Sequence, residues 1–382
     1  AFFSALLCSL ILVPLCRKLA LNKQILDRPG GRKEHAQATP LLGGVGVVAA
    51  CTLALLVVVG LEALILGGKP SELRFSDVSF IFLGSLIIFF IGLIDDFVGE
   101  RLPFYYKLVG QIIGSSIAIA VLFYAQLIRL INEDVPFADY LYLFILMMWM
   151  LTVINSFNFS DNINGLSTGL AVIAILTALV YLGFQVNARH IVLGLILAGA
   201  IFGFMPFNFP KARIFLGDAG SMFIGYWVGV ILWPMTEGFF DGTRPLFGLD
   251  QLIPPVLVMG VPIYDAGFVV IMRWRDKRPI YLGDNKHLSH RLVRCGFSRT
   301  ESTLILWGVA LVVGGIGAMS ITAPYYMRYI AFFVSLIILL IITVLVVKKE
   351  KKTALILEQE QKDKPQNEVR HGSRRIRADV SS

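Results

Sequence analysis

Charged residues are scarce in this chain: Asp, Glu, Lys and Arg make up 16% of its 382 residues, where a soluble domain carries roughly 25%. The apolar share is 56%, and much of it lies in charge-free runs long enough to cross a bilayer, which excludes an ordinary water-solvated globule. Cysteine is scarce too. Cys8, Cys16, Cys51 and Cys295 include no C-x-x-C pair, so neither a disulfide framework nor a zinc cluster is expected. No basic stretch and no methionine precede the first apolar run, which reads as a span trimmed at its start rather than a cleavable signal. No repeat of fixed period is present. The net charge of +8 comes without a basic face interleaved with aromatics, so nucleic acid is not an expected partner.

What is there is a series of about eleven apolar stretches, near residues 1 to 16, 42 to 66, 78 to 94, 107 to 125, 140 to 154, 166 to 184, 190 to 206, 219 to 235, 251 to 272, 301 to 320 and 327 to 347. Those near 140 and 190 are short enough to be half-spans or interior helices. The expected fold is therefore an all-α polytopic membrane protein of about eleven transmembrane helices. Summed over alternate loops, eighteen Lys and Arg fall on one side and six on the other, with ten more in the tail. The positive-inside rule then places the N-terminus outside and the C-terminus in the cytoplasm. Residues 1–347 read as a transmembrane catalytic domain. Residues 348–382 open with Lys348, Lys349, Lys351 and Lys352 and read as a stop-transfer signal, a short helical extension and a disordered tail. Gly43, Gly44, Gly46, Gly225 and Gly229 suit close helix packing better than a phosphate cradle.

The informative polar residues gather on the basic side. Asp95 and Asp96 directly follow an apolar run, a costly place for two carboxylates unless they have partners. The segment 155–165, NSFNFSDNING, packs Asn155, Asn158, Asp161, Asn162 and Asn164 into one short connection, more than turns and caps require. In FLGDAGS, Asp218 is as well suited to cap the following helix as to bind a metal. Asp265 lies inside an apolar run, where an ion pair with Arg273 two turns on is the plain structural reading. His287 and His290 stand at i, i+3 among Lys286, Arg291 and Arg294, surroundings that favour an anion such as a diphosphate over zinc. Arg32, Lys33 and His35 form a second basic site, and Lys107 and Gln111, at i, i+4, could face the same cavity. Carboxylates for a hard divalent ion beside groups for phosphates match what phosphoryl transfer needs.

In their order along the chain, from about Asp27 to Phe297, these motifs resemble the polyprenyl-phosphate N-acetylhexosamine-1-phosphate transferases of bacteria. The pentapeptide-transferring translocase is a more distant relative. The resemblance implies that Asp95 and Asp96 are the family's aspartate pair, one an acceptor-side base, and that Asp218 is its principal Mg²⁺ ligand. Asn158 and Asp161 would stand near metal and uridine, Lys107 in the phosphate cavity, and His287 and His290 at the diphosphate. The candidate catalytic residues are thus Asp95, Asp96 and Asp161. Candidate metal ligands are Asp218 and Asp96, for Mg²⁺ with Mn²⁺ as the alternative. Candidate substrate contacts are Lys107, Asn158, Asn164, His287, His290, Arg291 and His35.

Three departures stand out. The third acid of D-D-x-x-D is missing unless Glu100 replaces it, Asn162 and Asn164 stand where Gly and Asp are usual, and the histidine motif is H-L-S-H. A longer histidine-rich motif is absent, so UDP-MurNAc-pentapeptide is not the expected donor. The implied reaction is transfer of N-acetylhexosamine 1-phosphate, preferably from UDP-GlcNAc, to undecaprenyl phosphate at the cytoplasmic face of the inner membrane. Another UDP-N-acetyl sugar is the close alternative, an ion-coupled secondary transporter the distant one, and a homodimer is left open.

Overall fold

The computed structural model describes residues 1–27, 38–66, 75–99, 102–122, 137–185, 188–233, 245–280, 283 and 285–378. Among them the chain is a helical bundle with one two-residue strand pair, as apolar runs require when each backbone group must be satisfied within its own segment. Helices α1 (Phe2–Asn22), α2 (Gly43–Leu66), α3 (Phe75–Val98), α4 (Phe104–Leu122), α5 (Phe137–Ser160), α6 (Leu166–Gln185), α7 (Ala188–Asn208) and α8 (Gly217–Leu232) come first. A 3₁₀ turn (Pro245–Leu252) then leads into α9 (Ile253–Val258), α10 (Gly260–Arg275), α11 (Leu288–Arg294), α12 (Arg299–Ser320) and α13 (Tyr325–Ala378).

Helix α8 is the pillar. Every residue from Ala219 to Leu232 is buried, and α2, α3, α5, α6 and α7 all pack against it. Small residues permit this crowding: a Cβ on Gly44 would lie 2.6 Å from the Cα of Gly220, so α2 and α8 meet backbone to backbone. The entry to α8 is held by a short ladder. The Phe215 amide donates to the Pro40 carbonyl at 2.8 Å, and the Gly43 and Gly44 amides donate to Phe215 and Leu216 at 2.9 and 2.8 Å. With β1 (Leu26–Asp27) pairing β2 (Thr39–Pro40), both flanks of the first basic loop are fixed beside the Asp218 segment. His35, Arg32 and Lys33 themselves lie outside the described residues, as does Glu100.

Among the described residues, eight helices are long and apolar enough to cross a membrane, or nine if the bent pair Gly248–Val258 and Gly260–Arg275 is one span. Where they are described, all eleven expected stretches fall on helices, the ninth on the bent pair. The other two stretches are α6 and the 16-residue α8, while the stretches near 140 and 190 are long enough. Pro254, Pro255 and Pro262 flank the break at Met259, where the pair bends by 92°. Helix α13 continues past Val347 to Ala378.

Candidate active site

The carboxyl ends of α3, α5 and α7 and the amino ends of α4, α6 and α8 meet at one end of the bundle, and the polar residues meet with them. Asp218 opens the first turn of α8 and is clasped from two sides. The Lys107 ammonium on α4 donates to its Oδ2 at 2.6 Å, and the Asn158 amide on α5 donates to its Oδ1 at 2.9 Å. Lys107 also forms an ion pair with Asp95 Oδ2, while the Leu102 amide donates to Asp95 Oδ1 at 2.9 Å. Lys107 is thus the cation between two carboxylates. One turn further into the bundle, Gln111 and Asn155 join their amides, Asn155 Nδ2 donating to Gln111 Oε1 at 2.8 Å. That pairing holds α4 and α5 in register, so that Lys107 and Asn158 converge on Asp218.

Asp96 has a different task. Its two oxygens accept from the backbone amides of Asp218 and Ala219, at 2.9 and 3.0 Å, closing the amino end of α8 from a neighbouring helix. The capping role that sequence allowed Asp218 therefore belongs to Asp96, and the Asp218 side chain is turned into the site. Gly217 makes the approach possible, with a φ of +74° and a Cβ position 2.5 Å from Asp96 Oδ2. Gly217→Ala should displace Asp96, lower turnover about ten-fold or more and lower the melting temperature, as read by product assay and thermal unfolding in detergent. Wild-type turnover in that variant would show that the Asp96 cap does not matter.

Asp161 lies just beyond α5, partly buried, and burial together with the charge of Asp218 pushes its carboxyl up to about 8. Asn164 does not join the cluster. Its amide donates to the Pro210 carbonyl at 3.3 Å, a tie between connections, and the buried Asn208 accepts from the Gly165 amide at 2.8 Å in the same tie.

Helix α11 brings the histidines. His287 sits just before it, with Nδ1 2.7 Å from Asp265 Oδ2, while the Leu288 amide donates to Asp265 Oδ1 at 2.8 Å. Asp265 accordingly orients a histidine, and the guanidinium of Arg273 goes to the Ile280 carbonyl at 2.5 Å and over the Phe159 ring. With a carboxylate at Nδ1, the His287 ring directs Nε2 outward from the pair. Ser289 donates to Asn162 Oδ1 at 2.6 Å, docking α11 onto the connection that carries Asp161. His290 is buried 6.4 Å from the His287 ring, centre to centre. Arg291 points elsewhere, to Glu350 at 2.7 Å and to the Lys286 carbonyl at 3.0 Å.

The family model for glycosyl transferase family 4 matches residues 78–235. A decaprenyl-phosphate N-acetylglucosaminephosphotransferase of Mycolicibacterium smegmatis is 31% identical over 310 residues, 76% of this chain and 74% of that protein. The chain belongs to glycosyl transferase family 4. Two further relatives span still more of it. One, named "Probable undecaprenyl-phosphate N-acetylglucosaminyl 1-phosphate transferase" in Bacillus subtilis (strain 168), is 28% identical over 82% of both chains. The other, an undecaprenyl-phosphate alpha-N-acetylglucosaminyl 1-phosphate transferase of Thermotoga maritima, is 25% identical over 81% of this chain and 86% of its own. The family match takes in Asp95, Asp96, Lys107, Asn158, Asp161 and Asp218. The apolar helices make this a multi-pass membrane protein.

Proposed function

We propose that this family 4 glycosyl transferase moves N-acetylglucosamine 1-phosphate from UDP-GlcNAc to undecaprenyl phosphate, releasing UMP, at the cytoplasmic face of a bacterial inner membrane. The observation that carries the reading is the clasp on Asp218. Lys107 and Asn158 hold one oxygen each, within a cluster of aspartates at the end of the bundle where basic loops gather. Relatives named for the same transfer support it. The cytoplasmic placement rests on the basic bias of that side.

A hard divalent ion fits the donor set. Among the described residues no three His, Cys, Asp or Glu side chains form a ready metal cage. Mg²⁺ needs none, because one or two carboxylates complemented by substrate phosphate oxygens and water suffice. Asp218 would hold the ion through the lone pairs that Lys107 and Asn158 leave, with Asp96 fixing the helix that carries it. When bound, such an ion neutralises charge on the diphosphate.

The chain's own residues do the rest. Lys107 offers a positive charge where two phosphates must approach each other, and His287, held by Asp265, presents its ring to the diphosphate. The lipid phosphate is largely ionised at neutral pH, so Asp95 contributes through positioning Lys107 more than through proton removal. The attacking oxygen forms a bond to the sugar-bearing phosphorus as the bond to the UMP oxygen breaks. Polar groups at helix ends, rather than at a midplane between paired halves, give the transporter reading nothing to stand on.

The test is UMP release from purified protein given undecaprenyl phosphate, Mg²⁺ and each UDP-N-acetylhexosamine in turn. UDP-GlcNAc should be the best donor. No UMP from any of them would defeat the reading.

A further inference from the structure

The last described helix reaches back to the histidine segment, and one carboxylate on it binds two arginines there. Glu350 accepts from Arg291 Nη1 through Oε2 at 2.7 Å and from Arg294 Nε through Oε1 at 2.6 Å. Each arginine has a second bond. Arg291 Nε donates to the Lys286 carbonyl at 3.0 Å, and Arg294 Nη1 donates to the Asn285 carbonyl at 2.9 Å. Those carbonyls belong to the two residues directly before His287. Glu350 therefore fixes two guanidinium groups, and the guanidinium groups fix the backbone that delivers His287 into α11.

Neighbouring contacts close the same seam. Cys295 Sγ donates to the Val346 carbonyl at 3.3 Å, and the Lys349 ammonium lies 4.1 Å from the centre of the Phe297 ring. The Arg291 guanidinium sits over Phe268 of α10 at 5.3 Å, so this anchor also touches the helix that carries Asp265. The Arg291 side chain is only 10% exposed and Glu350 20%, which shields their bond from water and salt. Arg294, at 40%, adds less. In sequence Glu350 is one acid in a run of lysines, and nothing there marks it as anything but local charge relief.

We propose that Glu350 is a positioning residue of the active site, setting through Arg291 and Arg294 where His287 and His290 stand. The inference rests on the reading of those histidines as diphosphate contacts. It extends the working site to the C-terminal helix, beyond the residues 78–235 that the family model matches. It also gives Arg291 a structural task.

The full chain carrying Glu350→Ala, Glu350→Gln or Glu350→Asp tests this by two measurements. Initial rates of UMP release, with UDP-GlcNAc and undecaprenyl phosphate varied separately, should show the kcat/KM for the donor down about ten-fold to a hundred-fold in Glu350→Ala. The KM for the lipid acceptor should stay unchanged, and Glu350→Gln, which keeps one acceptor, should fall between. Amide hydrogen exchange should rise in Glu350→Ala over residues 285–295 and not in α5 or α8. Unchanged exchange over 285–295 overturns the inference even if the wild type releases no UMP, an outcome that defeats the proposed reaction instead. Raised exchange with wild-type donor kinetics, or equal losses toward both substrates, also overturns it, leaving Glu350 a purely structural role.

Discussion

Asp218→Asn should reduce UMP release by about 10²–10³-fold while leaving the protein folded, a loss of ~3–4 kcal/mol in transition-state stabilisation. The substitution preserves shape but removes the charge that Lys107 and Asn158 converge on. It also forces a mismatch. An asparagine can turn its oxygen to Lys107 or to Asn158, and whichever it does not face then meets an amide donor instead of an acceptor. The fold should survive because the capping bonds at the amino end of α8 go to Asp96 and use the backbone of Asp218, not its side chain. Turnover and thermal unfolding in the same detergent, with and without Mg²⁺, separate the two effects. Wild-type turnover would remove Asp218 from the chemistry. Asp161→Asn should cost less, since burial and the charge of Asp218 already favour the neutral form of its carboxyl.

How much of this could be read in the chain depends on how far apart the partners lie. The helices were legible as runs of apolar residues, and the site's location was legible because carboxylates, amides and basic groups recur at alternate ends of those runs. Asp95, Asp96, Asn158 and Asp218 do come together. What could not be read is which group serves which. Asp96 meets the Asp218 amide across 122 residues, and Asn208 meets Gly165 across 43. Local periodicity carries no information about such pairs. Asp265 was conspicuous as an acid in an apolar run, yet the i, i+8 match to Arg273 concealed its partner, His287, 22 residues on. The hydrogen bonds of Asn164 to the Pro210 carbonyl, and of Arg291 to the Lys286 carbonyl and Glu350, are likewise contacts that no local pattern announces. Helix α8 shows a related limit: protein surrounds it, and burial in a bundle leaves the same mark on a sequence as burial in lipid.

Lys107→Met should show that the site needs its internal cation even when no substrate is bound. Methionine matches the length and packing of the lysine stem but leaves Asp95, fully buried, facing Asp218 with nothing positive between them. Removing one partner of a buried pair costs about 3–5 kcal/mol. The lower end applies here, because the Lys107 side chain is 23% exposed and water can screen part of the repulsion. Activity should fall about 10²-fold along with stability, since the same charge faces the incoming phosphates. Two further measurements separate repulsion from lost packing. The double variant Lys107→Met with Asp218→Asn should unfold at a higher temperature than Lys107→Met alone, because the second change removes the charge that the first left exposed to its neighbour. A divalent cation should raise the unfolding temperature of Lys107→Met more than that of the wild type, since it would restore positive charge between the same two carboxylates. If the single variant is as stable and as active as the wild type, the bridge between α3, α4 and α8 is incidental. If the double variant is the less stable of the two, the loss comes from packing and not from unopposed charge.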